Sequence, residues 1–227
     1  MKMDKTRLLF IGVLMAAGIT SCTPEQVDVD QNRVYPSYKL SYNKSENKTT
    51  AQASFSLDSL NGTTYQLKNP ATVTYADETL IFSVNDDFYS KEFVNVKTGE
   101  FKYTNNDLNE FVNSISIPDS LSVFNLPAAH PIDLDLIVSI ETTALAEDEI
   151  IELQFTDLQS ELSVTAYADS ISSGNLLIDA NFLTGLGTGE VEIIFRRVKT
   201  TTNLSQANSV GGQIITTYEL QDTVVLF

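Results

Sequence analysis

The chain has 227 residues, of which 42% are apolar, and a formal net charge of −16. That apolar content supports a packed core, and the acidic balance repels nucleic-acid phosphates and anionic headgroups, so no nucleic-acid partner and no electrostatic membrane contact is expected. A single cysteine, Cys22, excludes intrachain disulfides and thiolate zinc sites.

The N-terminus carries Lys2, Lys5 and Arg7, followed by the apolar run Leu8–Ile19 of 12 residues. A helix needs about 20 apolar residues to cross a bilayer, so this run reads as the h-region of a signal peptide. It ends in Ile19-Thr20-Ser21-Cys22. An aliphatic residue, two small residues and a cysteine resemble the lipobox of bacterial lipoproteins. The resemblance implies cleavage between Ser21 and Cys22, a diacylglycerol thioether on Cys22, and acylation of the new amine. One acyl chain holds a protein only marginally, at about 0.8 kcal/mol per buried CH2, whereas two or three hold it firmly. Thr23 in place of aspartate implies the outer membrane, facing either the periplasm or the cell exterior. Residues 1–21 carry a net charge of +2, so the mature chain would stand at −18.

Residues 22–35 read as the lipidated cysteine and a polar tether, with Pro24 and no helical period. Strand signals then dominate. Thr49–Leu57 alternates polar and apolar residues; Ala71–Tyr75 and Thr79–Val84 flank a turn at Ala76-Asp77-Glu78. Phe93–Val96 and Glu100–Tyr103 flank Lys97-Thr98-Gly99, and Phe111–Ile117 stops at Pro118. Beyond Pro131 come Leu134–Ile140, Ile150–Phe155, Leu162–Ala168, Val191–Val198, Ile214–Leu220 and Val224–Phe227. Leu176–Leu183 fits a turn of helix or a short strand.

Short strands at intervals of about eight to twelve residues predict an all-β sandwich or barrel. Pro118, Pro127 and Pro131 mark a boundary, because proline cannot donate to a sheet ladder. The expected organisation is two tandem immunoglobulin-like β-sandwich domains, 36–118 and 119–227, after the signal peptide and tether, with one elongated sandwich as the alternative. The whole resembles short surface lipoproteins of the Bacteroidota that carry immunoglobulin-like sandwiches.

Catalytic and metal signals are sparse. The one histidine, His130, lies between Ala129 and Pro131 in the expected linker, and no Gly-x-Ser-x-Gly elbow occurs. Asp28-x-Asp30-x-Asn32 opens like an EF-hand loop but has Arg33 where glycine belongs and Lys39 where the bidentate glutamate belongs. Asp86-Asp87 and Glu147-Asp148-Glu149 are acidic turns with oxygen ligands to offer. No catalytic residue, metal site or cofactor is expected. Asp58-Ser59-Leu60, Asp119-Ser120-Leu121, Asp169-Ser170-Ile171 and Asp222-Thr223-Val224 resemble the O-glycosylation triplet of the Bacteroidota periplasm. Ser59, Ser120, Ser170 and Thr223 are the acceptors this implies, and an acceptor hydroxyl must be exposed.

The reading is a lipid-anchored, non-enzymatic envelope module with a protein or glycan partner. The alternatives are a fimbrial or adhesin-type subunit, with Val224–Phe227 as a strand to donate, and a glycan-binding lipoprotein. The absence of tryptophan weakens the last without removing it.

Overall fold

The computed structural model describes residues 29–168 and 174–227. Ser21, Cys22 and Ser170, with the expected signal peptide, lie outside them. Among the described residues the chain is all-β apart from one 3-10 turn, Gln31–Arg33, and one five-residue helix.

The first half contributes β1 (Val34–Asn43), β2 (Lys48–Leu57), β3 (Thr72–Tyr75), β4 (Glu78–Thr79), β5 (Ile81–Ser83), β6 (Phe88–Val94), β7 (Thr98–Thr104) and β8 (Glu110–Ser116). β1 and β2 form a hairpin because both alternate strictly and because Asn47 closes the turn at a φ of 52°. The order β5-β6-β2-β1 packs against β4-β3-β7-β8. In chain order this is the D-E-B-A sheet facing the C′-C-F-G sheet of an immunoglobulin-like sandwich. Aromatic rings fill the space between: Tyr38 stacks on Phe101 at 4.7 Å, and Phe101 meets Tyr75 at 4.8 Å. Each such ring contributes about 2–3 kcal/mol by leaving water.

The second half contributes β9 (Leu121–Phe124), β10 (Ala129–His130), β11 (Leu136–Thr142), β12 (Glu149–Asp157), β13 (Ser163–Ala168), β14 (Asn175–Ile178), α1 (Ala180–Thr184), β15 (Gly189–Thr201) and β16 (Gln213–Leu226). The order β14-β11-β9 packs against β13-β12-β15-β16. Leu136, Ile151, Phe155, Leu183 and Phe195 form this second core. The segment left open, Leu176–Leu183, holds both a strand and a helix, the latter capped by Asp179, whose carboxylate accepts from the Asn181 N–H.

One sheet runs through both cores. β16 pairs antiparallel with β15 over its whole length, while its other edge takes β1 in parallel along Gln213–Glu219 and β10 along Val225–Leu226. The result is a nine-stranded sheet. The cores trade residues across it: Ile214 of β16 packs in the first, and Tyr42 of β1 packs in the second against Tyr218.

The structure corrects several local expectations. The fold begins before Tyr35, the expected end of the tether: Val34 is fully buried, and Gln31 Oε1 accepts from the Tyr103 hydroxyl at 3.3 Å. The segment Thr79–Val84 is not one hairpin strand, because Leu80 is buried and carries the chain from β4 in one sheet to β5 in the other. β6 and β7 likewise do not pair; three residues bridge the sheets, which lie about 10 Å apart, and Phe93 and Phe101 enter the same core from opposite sides. The stretch Pro118–Pro131 is no free linker, since its proline-free centre forms edge strand β9 with Leu121 in the second core. Ile214–Leu220 and Val224–Leu226 are parts of one strand, which ends one residue before Phe227.

Candidate binding cleft at the seam of the two cores

β15 changes character along one face. Val191, Ile193 and Phe195 sit in the second core. The same face continues as Arg197, then Lys199, then Thr201, by the two-residue period of a strand. Beside it on β16 the partners are Tyr218, Thr216 and Ile214. The strand therefore leaves one core, passes a buried guanidinium, and enters a polar seam before the other core begins.

Arg197 is 2% exposed and has its partners in place. Its Nε donates to Glu149 Oε2 at 3.2 Å, and Nη2 donates to the same oxygen. Nη1 donates to the hydroxyls of Thr142 at 2.7 Å and Thr143 at 2.8 Å, and Nη2 to the Ala144 carbonyl at 3.2 Å. A buried pair satisfied in this way survives its desolvation cost; it locks the turn after β11 onto β12 and β15. Thr143 also donates to Asp119 Oδ2 at 2.7 Å, tying in the connector that follows β8.

Above this lock lies a cleft of about 470 Å³, within the usual size range of ligand pockets. Its floor is Lys199, Thr201, Ile214 and Thr216 on β15 and β16. One wall is Ile115 and Ser116 of β8, running into Ile117, Pro118 and Asp119; the other holds Asn203 and Ser205 from the β15–β16 loop. The loop is pinned to β8: Asn113 Oδ1 accepts from Ser205 Oγ and the Gln206 N–H, both at 3.1 Å, and Asn113 Nδ2 donates to the Gln206 carbonyl at 2.9 Å. Further along the loop, Asn208 Nδ2 donates to the Val34 carbonyl at 2.8 Å. The cleft is thus preformed.

Thr216 is 3% exposed, and its Oγ1 has no hydrogen-bond partner among the described residues. Burying a hydroxyl without a partner costs about 1–3 kcal/mol, so this group stands out on the floor of the site. Lys199 sits directly across the ladder, with Nζ 3.6 Å from Asp148. The arrangement offers hydroxyl, amide, ammonium and carboxylate groups over an isoleucine surface, with Glu149 paired to Arg197 and Lys199 to Asp148, which suits hydrogen bonding to a neutral polar ligand.

Of the residues singled out in the sequence, Ser59 is exposed in the turn after β2, where Arg33 pairs with Asp58 at 2.6 Å. Ser120 is exposed beside the cleft, in a neighbouring depression that shares Asp119. Thr223 is exposed on β16. The fold does not bring these hydroxyls together. His130 lies in β10 with Nε2 3.0 Å from the Leu134 carbonyl. The acidic turns are engaged elsewhere: Glu149 holds Arg197, Asp148 faces Lys199, and Asp86 accepts from Ser83 Oγ at 2.6 Å. Among the described residues no group of three His, Cys, Asp or Glu is placed to hold a metal ion. Arg197 and Thr216 were not singled out in the sequence. The available signal was parity, since each continues a row of inward apolar residues.

No protein-family model matches the chain. No curated protein matches it either. Among solved structures, one described as "Structural insight into host cell surface retention of a 1.5-MDa bacterial ice-binding adhesin" aligns with 85% of this chain at 12% identity and a TM-score of 0.24. The alignment spans 65% of that structure's own chain. A likeness this distant assigns neither a family nor an activity.

Proposed function

We propose that this protein is a lipid-anchored, non-enzymatic envelope module of the outer membrane that binds a neutral, hydroxyl-rich ligand, a glycan segment, in the cleft between its two cores. The anchor rests on Cys22 and the residues before it. The binding reading rests on the preformed, polar-lined cleft, beneath whose floor the Thr216 hydroxyl is buried and unpartnered and where a seated ligand would engage it. Isoleucines in the lining would take the C–H face of a sugar, while Asn203, Ser205 and Thr201 would meet its hydroxyls. The fimbrial alternative is less favoured, because Val224–Leu226 pair with β15, Val225 and Leu226 pair also with β10, and Val224 and Leu226 are buried in the chain's own core.

Calorimetric titration with maltoheptaose, cellohexaose and mannohexaose tests the site. One of them should bind, and Thr216→Val should weaken that binding about tenfold, the equivalent of about 1.4 kcal/mol. No binding by any of them, or binding unchanged by the substitution, contradicts the assignment. The anchor is tested separately: Cys22→Ser should move the protein from the membrane pellet to the soluble fraction.

A further inference from the structure

An edge strand carries a row of backbone donors and acceptors with no sheet partner, and this molecule treats its edges unequally. β4 and β5 are two and three residues long, and β9 and β14 four, which is little to template a further strand. β8 is seven residues long but capped. Its Val112 N–H donates to Gln206 Oε1 at 2.7 Å, and the Val112 carbonyl accepts from Ser205 Oγ at 3.2 Å.

β13 differs from all of these. It runs six residues and among the described residues pairs with β12 alone, in unbroken register from Thr156–Ser163 to Ile151–Ala168. It contains no charge, no proline and no bulge, the three common protections of an edge. Among the described residues no side chain caps its backbone as Gln206 caps β8. On its inner side Val164 and Ala168 reach only the margin of the second core and are half-buried. Outside, Tyr167 is 66% exposed, and Leu158 and Leu162 near the strand's start are 47% and 46% exposed.

We propose that β13 receives an extended segment of a partner protein by strand addition, so that the segment becomes the outermost strand of the large sheet. Alternate apolar residues of that segment would cover Val164 and Ala168, and the intervening residues would be basic. Charge selects the occupant. The chain carries −16, and the exposed Glu161 precedes the strand; Glu152, opposite Tyr167 on β12, is already paired with Arg196. A second copy would bring another −16 and a second Glu161 to the junction, whereas a lysine-bearing strand meets attraction. No cleft-lining residue lies on β13, and the test of this site is independent of the glycan reading.

The probe is a synthetic peptide alternating valine with lysine, added to the folded chain and followed by amide hydrogen exchange. Exchange of the β13 amides should slow at least ~10-fold while β8 is unchanged. Thr165→Lys with Tyr167→Lys, both exposed positions, should abolish the protection, and so should N-methylation of alternate amides in the peptide, which leaves the protein untouched. Protection that maps elsewhere, is absent, or survives N-methylation overturns the proposal. So does a peptide-free dimer, seen by sedimentation and lost in the double-lysine variant, because a second copy would then be the occupant.

Discussion

Replacing Thr216 by valine should make the unliganded protein more stable and a poorer binder. Valine has the shape of threonine, so the substitution opens no cavity, and it favours a strand at least as well. What it removes is a hydroxyl that is buried without a partner, at a cost of about 1–3 kcal/mol. The expected gain is about 1 kcal/mol, or about 2–4 °C in Tm for a chain of this size. Thr49→Val is the control: Thr49 is fully buried on β2, its hydroxyl is also unpartnered among the described residues, and it lies outside the cleft. Both variants should gain stability in urea or thermal unfolding. A glycan at about ten times its Kd should add about 1.4 kcal/mol to the wild type and to Thr49→Val, but much less to Thr216→Val. A loss of stability in Thr216→Val would mean that the hydroxyl is already engaged, and the reasoning for the site would fail.

Other substitutions test the frame around the cleft. Glu149→Ala should cost about 3–5 kcal/mol by leaving the Arg197 charge buried and unpaired, while Arg197→Met with Glu149→Leu should recover most of that loss in denaturant titrations; a single-variant cost under about 1 kcal/mol would refute the buried lock. The Asp157 carboxylate is held below the usual aspartate range by the Ser160 hydroxyl, at 2.5 Å, and by the Gln159 N–H, at 2.9 Å. A depressed folded pKa gives stability that is present above the unfolded value, about 3.9, and lost as pH falls through the folded one, so Ser160→Ala should flatten the acid limb of the stability–pH curve. Gly99→Ala should destabilise by about 1–3 kcal/mol, since its Cβ would lie 2.8 Å from Tyr75 Cζ in a packed core. Tyr75→Phe should be neutral or mildly stabilising, because the hydroxyl is buried without a partner and burial pushes its pKa to about 12; a clear loss on melting would contradict this.

Strand identity was legible where half-buried strands alternate, as β2, β12 and β15 do; β1 alternates as cleanly but was passed over, because the strand reading began at Thr49. Strand pairing was not. Phe93 and Phe101 have the same local pattern whether the chain turns back within a sheet or crosses to the facing one; only the shared core distinguishes the two. Gln221, Asp222 and Thr223 read as the end of a strand, yet β16 continues through them. They are exposed where β1 has ended and β10 has not begun, so polar residues fit a strand that keeps β15 as its partner there. The prolines at 118, 127 and 131 marked the connection between the cores but concealed β9, whose four residues contain none. Of the site, the acceptor serines and Thr223 were visible as motifs. The cleft was not, because it joins β8 to strands about a hundred positions later, and no local pattern reports that contact.

Chemical-shift mapping of the backbone and threonine methyl groups, with the tightest-binding of the three oligosaccharides, tests binding at the seam most directly. Shifts should concentrate at Thr216, Lys199, Thr201, Asn203 and Ser116, leaving the outer strands β5 and β13 unmoved. A bound ligand whose shifts lay away from the floor of β15 and β16, or a complete absence of shifts at saturating sugar, would contradict it.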